Sequence, residues 1–132
     1  MDYIGAYYGM YFVEISDYYT RENSDEKEML KLLYQSLRAL SVPSLSKELV
    51  RYIFEMKSIV INGEFPGLPV DWRLEASTEY AVQFIVNAPI EKLFTFTVSD
   101  SVLIELEQLS QHYRSKLWDR EFKSLEIIKT LC

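Results

Sequence analysis

Ser44 to Pro66, SLSKELVRYIFEMKSIVINGEFP, is the stretch on which the fold turns. Leu45, Leu49, Tyr52 or Ile53, Met56 and Val60 recur every three or four residues, the spacing that lines one face of an α-helix. The spacing predicts a helix over 45–61. Gly63 ends it, because glycine accepts the left-handed backbone that closes a helix C-terminus, and Pro66 lacks the amide needed to carry the helix on.

The same period recurs on both sides of this segment. Upstream, Ile4, Tyr8, Tyr11, Phe12, Ile15 and Tyr19 form a wide apolar stripe that predicts a first helix over 4–19, expected at the centre of the fold. Gly5 and Gly9 lie four apart on that helix and read as a notch for close packing of another helix, at a propensity cost of about 1 kcal/mol each. Asn23 with Glu26 has the pattern of a capping box opening a second helix over 25–40. Met29 or Leu30, Leu33, Leu37 and Leu40 make its seam, while Lys27, Lys31 and Arg38 sit on its solvated side. Pro43 separates it from the third helix.

Downstream, GEFPGLPVDWRLEAS has no helical period and reads as an ordered loop anchored by Phe65, Leu68, Val70 and Trp72. Residues 78–86 fit a helix through Tyr80, Ala81, Phe84 and Ile85, and a strand through Tyr80, Val82, Phe84 and Val86. Caps at Ser77 and Thr78 and the stop at Pro89 favour the helix. Leu93 to Val98, LFTFTV, alternates and is rich in strand-forming types, so it is expected to be extended. Ser99 caps a helix over 100–117 with Val102 or Leu103, Leu106, Leu109 and Tyr113 on its seam. A break near Trp118 and Asp119 precedes a last helix over 122–130. The expected fold is one mainly α domain spanning 1–132, a helical bundle with little strand.

With 132 residues, 48% hydrophobic and 14% aromatic, the chain has ample material for a core. Lys and Arg number 14 against 20 Asp and Glu, a net charge of −6 that repels phosphate averaged over the surface. Any nucleic-acid contact must be local, and the charge is uneven. The first thirty residues are acidic, whereas the segment from His112 onward is net positive. Arg114, Lys116, Arg120 and Lys123 stand beside Tyr113, Trp118 and Phe122, the combination that suits phosphate contact with base stacking. A single cysteine, Cys132, excludes an intrachain disulfide and fits a reducing cytoplasm. No run approaches the roughly 20 apolar residues of a membrane span, and no basic, apolar leader opens the chain.

No catalytic constellation is legible. His112 has no nucleophile or acid fixed beside it, and Cys132 has no electropositive pocket to activate its thiol. Asp25, Glu26 and Glu28 complement a helix N-terminus rather than bind a cation. Glu105 and Glu107, two apart on a helix, point in different directions and share no acid-base site. No phosphate-cradling glycine loop is present. The chain is expected to need no cofactor and to be no enzyme.

Read together, AYYGMYFVEISDYYT (6–20), IFEMKSIVINGEFP (53–66), YAVQFIVNAPIEKLFTFTVS (80–99) and FKSLEIIKTL (122–131) resemble the helical C-terminal portion of the bacterial DNA repair RecO family. The resemblance implies an N-terminal oligonucleotide-binding barrel, a helical domain with an embedded zinc knuckle, and work in recombinational repair with RecR. It implies a place in the cytoplasm, associated with the nucleoid during repair. Two departures stand out. The knuckle needs four cysteines in two close pairs, whereas the chain beyond Gly63 offers only Cys132 and His112, so a metal-free, degenerate knuckle is expected. No barrel is expected within these residues either, since the first helix opens within four residues of Met1; the chain is read as either an excised domain or a barrel-less relative. The resemblance further implies that the helical domain takes the acidic, apolar tail of single-strand DNA-binding protein in an apolar slot with a cationic rim. Arg38, Arg51, Tyr52 and Lys57 are the expected rim; Tyr52 holds the place where the family often carries arginine, with Arg51 adjacent. The alternatives are a structural or protein-interaction module with no DNA role and, more distantly, an enzyme with an unrecognised site.

Overall fold

The computed structural model describes residues 2–21 and 26–131. Among the described residues six α-helices follow one another: α1 Tyr3–Arg21, α2 Glu26–Ala39, α3 Lys47–Ile61, α4 Ala76–Asn87, α5 Asp100–Leu117 and α6 Lys123–Leu131, with a 3-10 turn at Ile90–Lys92 before α5. There is no strand among the described residues. The fold is a mainly α bundle. The ambiguous segment around Tyr80 is helical, and its apolar residues Ala81, Val82 and Ile85 are buried.

The centre of the bundle is α3, not α1. Every residue from Leu49 to Ile59 is buried, because α1, α2, α4 and α5 all pack against this helix. One apolar face was the sequence expectation; instead Arg51, Glu55, Lys57 and Ser58 are buried with the hydrophobic residues. Alongside it, α1 inserts Tyr8, Tyr11, Phe12, Ile15 and Tyr19. The Phe12 and Phe54 rings stack at 4.4 Å with 19° between planes. Burial of each such ring contributes roughly 1.5–3 kcal/mol.

The helix ends are set by local chemistry. Ser46 accepts a hydrogen bond from Leu49 N at 3.1 Å and opens α3, and Ser99 does the same for α5 through Val102 N. Gly63 has φ of 73°. Its N–H bonds to Val60 O and the Glu64 N–H bonds to Ile59 O, so both hydrogen bonds of a Schellman closure are made. The notch expected at Gly5 and Gly9 is real only at Gly9, where a Cβ would come within 3.3 Å of Leu37 on α2. Gly5 instead donates its N–H to Asp2, which caps α1. Asn23, expected to cap α2, lies outside the described residues. The expected caps Ser77 and Thr78 fall inside α4, whose N-cap is Glu75, and Thr78 turns its hydroxyl to Glu105 on α5.

Candidate functional site

A carboxylate sits at the heart of the bundle. Glu55, on α3 and fully buried, accepts a hydrogen bond from the Tyr11 hydroxyl of α1 and one from Arg114 Nη1 of α5 at 3.0 Å. Arg51, one turn earlier, brings its Nε to 3.7 Å from the same carboxylate, too far for a hydrogen bond, and lays its guanidinium 4.9 Å from the Tyr52 ring centroid. Burial, reinforced by the Glu55 charge, pushes the Tyr11 phenol well above its ordinary value, so it stays a donor. The cluster ties three helices together and keeps a buried charge in partnership, which is the condition for tolerating it.

Lys57 is equally committed. Its ammonium donates to the carbonyls of Ile85, Val86 and Ala88 at 3.0, 3.2 and 2.8 Å. Those carbonyls belong to the end of α4, where the helix leaves acceptors without amide partners and where positive charge is favoured. Lys57 therefore caps α4 from within the core. The expected rim of Arg38, Arg51, Tyr52 and Lys57 does not assemble. Arg38 is exposed on α2 over the Tyr34 ring, Lys57 uses all three donors internally, and only Arg51 and Tyr52 face a common groove.

That groove, about 310 Å³ between α3, α5 and α6, is lined by Arg51, Tyr52 and Arg114 together with Glu48, Glu107 and Lys129. Arg51 Nε has no hydrogen-bond acceptor among the described residues. Tyr52 donates its hydroxyl to Glu107 at 2.9 Å, and burial raises its phenol above the ordinary value. A second groove of about 630 Å³ continues from it between α5 and α6, sharing Arg114, Gln111 and Lys129. Its apolar side is Trp118, Phe122 and Leu125, and Arg120 rises above it with its guanidinium 4.9 Å from the Phe122 ring centroid. Asp119, Glu121 and Glu126 also line this groove.

The four basic residues singled out near the C-terminus are thus divided. Arg114 serves Glu55, Arg120 overlooks the α5–α6 groove, Lys116 borders a separate cleft beside the 66–72 loop, and Lys123 is exposed on the first turn of α6. Lys129 was not anticipated, although its place three residues after Glu126 on the last helix would have put it near the same rim. Glu55 was also missed; a lone carboxylate inside the apolar run IFEMK, four residues after an arginine, was the available signal.

The loop after α3 is held by aromatic rings. Phe65 packs on Tyr113 at 5.3 Å and Trp72 on His112 at 4.9 Å, while Tyr113 donates its hydroxyl to Gly67 O at 2.8 Å. Glu64 accepts from Tyr19 at 2.9 Å, and Tyr19 accepts from Trp118 Nε1 at 2.6 Å. Val70, expected as an anchor, is fully exposed, whereas Phe65, Leu68 and Trp72 pack against the core. A tetrahedral zinc site does not fit these residues. The loop carries no thiol, the His112 ring is packed against Trp72, and no cluster of three metal-ligating side chains exists among the described residues. Glu105 and Glu107 diverge, the first reaching Thr78 on α4 and the second Tyr52 on α3. No described helix is long and apolar enough to cross a membrane.

Comparison with known proteins bears on this architecture. A protein named DNA repair protein RecO from Acetivibrio thermocellus is 41% identical over 51 residues, which cover 39% of this chain and 20% of that relative. The match thus spans about a fifth of the relative's length. No solved structure matches the chain. The family described as Recombination protein O C terminal matches residues 1–72, which carry α1, α2, central α3 and the start of the loop. By that match across more than half its length, the chain belongs to the RecO C-terminal family.

Proposed function

We propose that the chain is a non-enzymatic mediator domain of DNA repair and recombination, working in the cytoplasm at the nucleoid, and that its working surface is the joined groove between α3, α5 and α6. The observation that carries this reading is the pairing of an apolar floor, Trp118, Phe122 and Leu125, with the exposed cations Arg120 and Lys129. An acidic peptide ending in an aromatic residue matches it: the ring would enter the apolar floor and the carboxylates would meet the rim. The tail of single-strand DNA-binding protein has this chemistry, and family membership supports it as the occupant. RecR is the further partner that membership supports.

A calorimetric titration with an acidic peptide ending in phenylalanine tests the reading. Saturable binding is expected. Arg120 and Lys129 are exposed, so reversing each, Arg120→Glu and Lys129→Glu, is expected to cost about 1 kcal/mol, roughly fivefold in affinity. Flat curves with the unaltered chain, or affinity indifferent to both reversals, would remove the proposal.

Contact with DNA is a second reading, favoured by the absence of ion pairs at Lys116, Arg120 and Lys123 among the described residues. Binding should then weaken steeply with salt, and the slope should fall by about one for each lysine removed.

A further inference from the structure

A further apolar groove lies between α4 and the segment that leads into α5. About 730 Å³ in volume, it is lined by Tyr80, Ala81, Phe84, Phe96, Val98 and Val102 among others. Tyr80 is 74% exposed there. Phe84 and Phe96 meet edge to face at 5.3 Å and 76° to form its floor.

One wall is the segment 95–99. Residues 96–98 are neither helical nor paired, and among the described residues none of their amides or carbonyls takes a hydrogen-bond partner. Side chains alternate along this wall: Phe94, Phe96 and Val98 are half-buried, Thr95 and Thr97 exposed. The alternation has the period of a strand with no neighbour, and backbone groups left without partners in such a run are a template for another chain. The Ser99 cap ends the run and starts α5, so helix cannot spread backward to consume those groups.

Charge selects among occupants. No lysine or arginine lines the groove, and Glu75, Glu79 and Asp100 adjoin lining residues in sequence. Glu79 and Asp100 also occupy the first turns of α4 and α5, so the positive helix ends nearby are already answered. An acidic occupant is disfavoured.

We propose that this face is a docking edge for an extended peptide of neutral or basic character, which adds to residues 96–98 as a strand and places a bulky apolar side chain over Phe84 and Phe96. Backbone pairing supplies register, and the aromatic floor supplies side-chain preference. The surface is separate from the α5–α6 groove and opposite to it in preferred charge, so failure of one assignment leaves the other standing.

The test uses a blocked heptapeptide, Lys-Thr-Val-Trp-Val-Thr-Lys, followed by amide NMR and hydrogen exchange on the intact chain. Saturable shifts are expected at Phe96, Thr97 and Val98, with exchange at one or more of these amides slowed about tenfold or more. Tyr80→Ser, at an exposed position, should weaken binding about tenfold with an unchanged thermal midpoint. Two further peptides, N-methylated at the odd or at the even positions, discriminate strand addition from adhesion, because only one parity of amides faces the edge. Loss of binding with one and retention with the other supports the proposal. Flat titration, equal response to both methylations, or preference for a glutamate-flanked version would overturn it. Concentration-dependent dimerisation that protects the same amides without peptide would replace the peptide with a second copy of the chain.

Discussion

Replacing Glu55 by glutamine is the sharpest test of how the bundle is held. The side chain keeps its size and one oxygen acceptor but loses its charge. Arg51 and Arg114 then remain nearly excluded from solvent, 6% and 10% exposed in their side chains, without the anion that faces them. Breaking a buried pair by removing one partner costs roughly 3–5 kcal/mol, because the remaining charge is left desolvated. The retained acceptor places the expected loss near the lower end, about 3 kcal/mol. For a chain of this size that corresponds to a fall of about 10 °C in the thermal midpoint. Urea unfolding followed by the fluorescence of Trp72 and Trp118 measures it, and an unchanged denaturant slope would show that the transition still exposes the same surface. Arg114→Met should also destabilise, and the double variant should lose less than the sum, with a coupling of about 1–3 kcal/mol. A Glu55→Gln loss below about 1 kcal/mol, or strict additivity with Arg114→Met, would refute the idea that this carboxylate fastens α1, α3 and α5 together.

Two other outcomes follow from buried polar groups. Lys57→Met is expected to cost about 2–3 kcal/mol and to speed amide exchange in the last turn of α4, since three carbonyls lose a charged donor; a change under about 0.5 kcal/mol would refute the capping role. Stability should decline above about pH 10. Burial raises the phenols of Tyr11, Tyr19, Tyr52 and Tyr113, the last to about 12, so the folded chain holds protons that the unfolded chain releases near 10. Their contribution is whole below the unfolded value and disappears as pH climbs through the folded values. Lys57, whose amine burial pulls down, opposes this slightly. A thermal midpoint that rises between about pH 10 and 11.5 would contradict the balance.

Much of the helix layout was written in spacing and punctuation. The Gly63 ending follows from backbone freedom and is visible in a single letter, as is the Ser99 cap. The extended run expected over 93–98 is not found as such: Leu93 is αR and 93–95 turn and bend as they close the 3-10 turn, and no partner strand reaches 96–98, because alternation says nothing of pairing. The interior was harder to read. Periodicity assigned α3 one buried face, yet four other helices enclose it, and only the assembled fold determines which charged residues can be buried. Arg51 and Lys57 therefore looked like surface cations, and Glu55 went unremarked. The basic residues of the last two helices were read as one set, since sequence proximity does not reveal that Arg114 turns inward while Lys116 and Arg120 border different grooves.

The pairing of first helix with last has a practical implication for dissecting the protein. Tyr11 and Tyr18 of α1 meet Phe122 just before α6, at 6.0 and 5.8 Å between ring centroids. A fragment cut at residue 72 would contain the family's matched region but none of α4, α5 or α6. It would present the aromatic side of α1 to water and leave Glu55 without Arg114, inviting self-association instead of independent folding. The matched region is thus expected not to fold as a detachable module, with residues 73–131 as its structural complement.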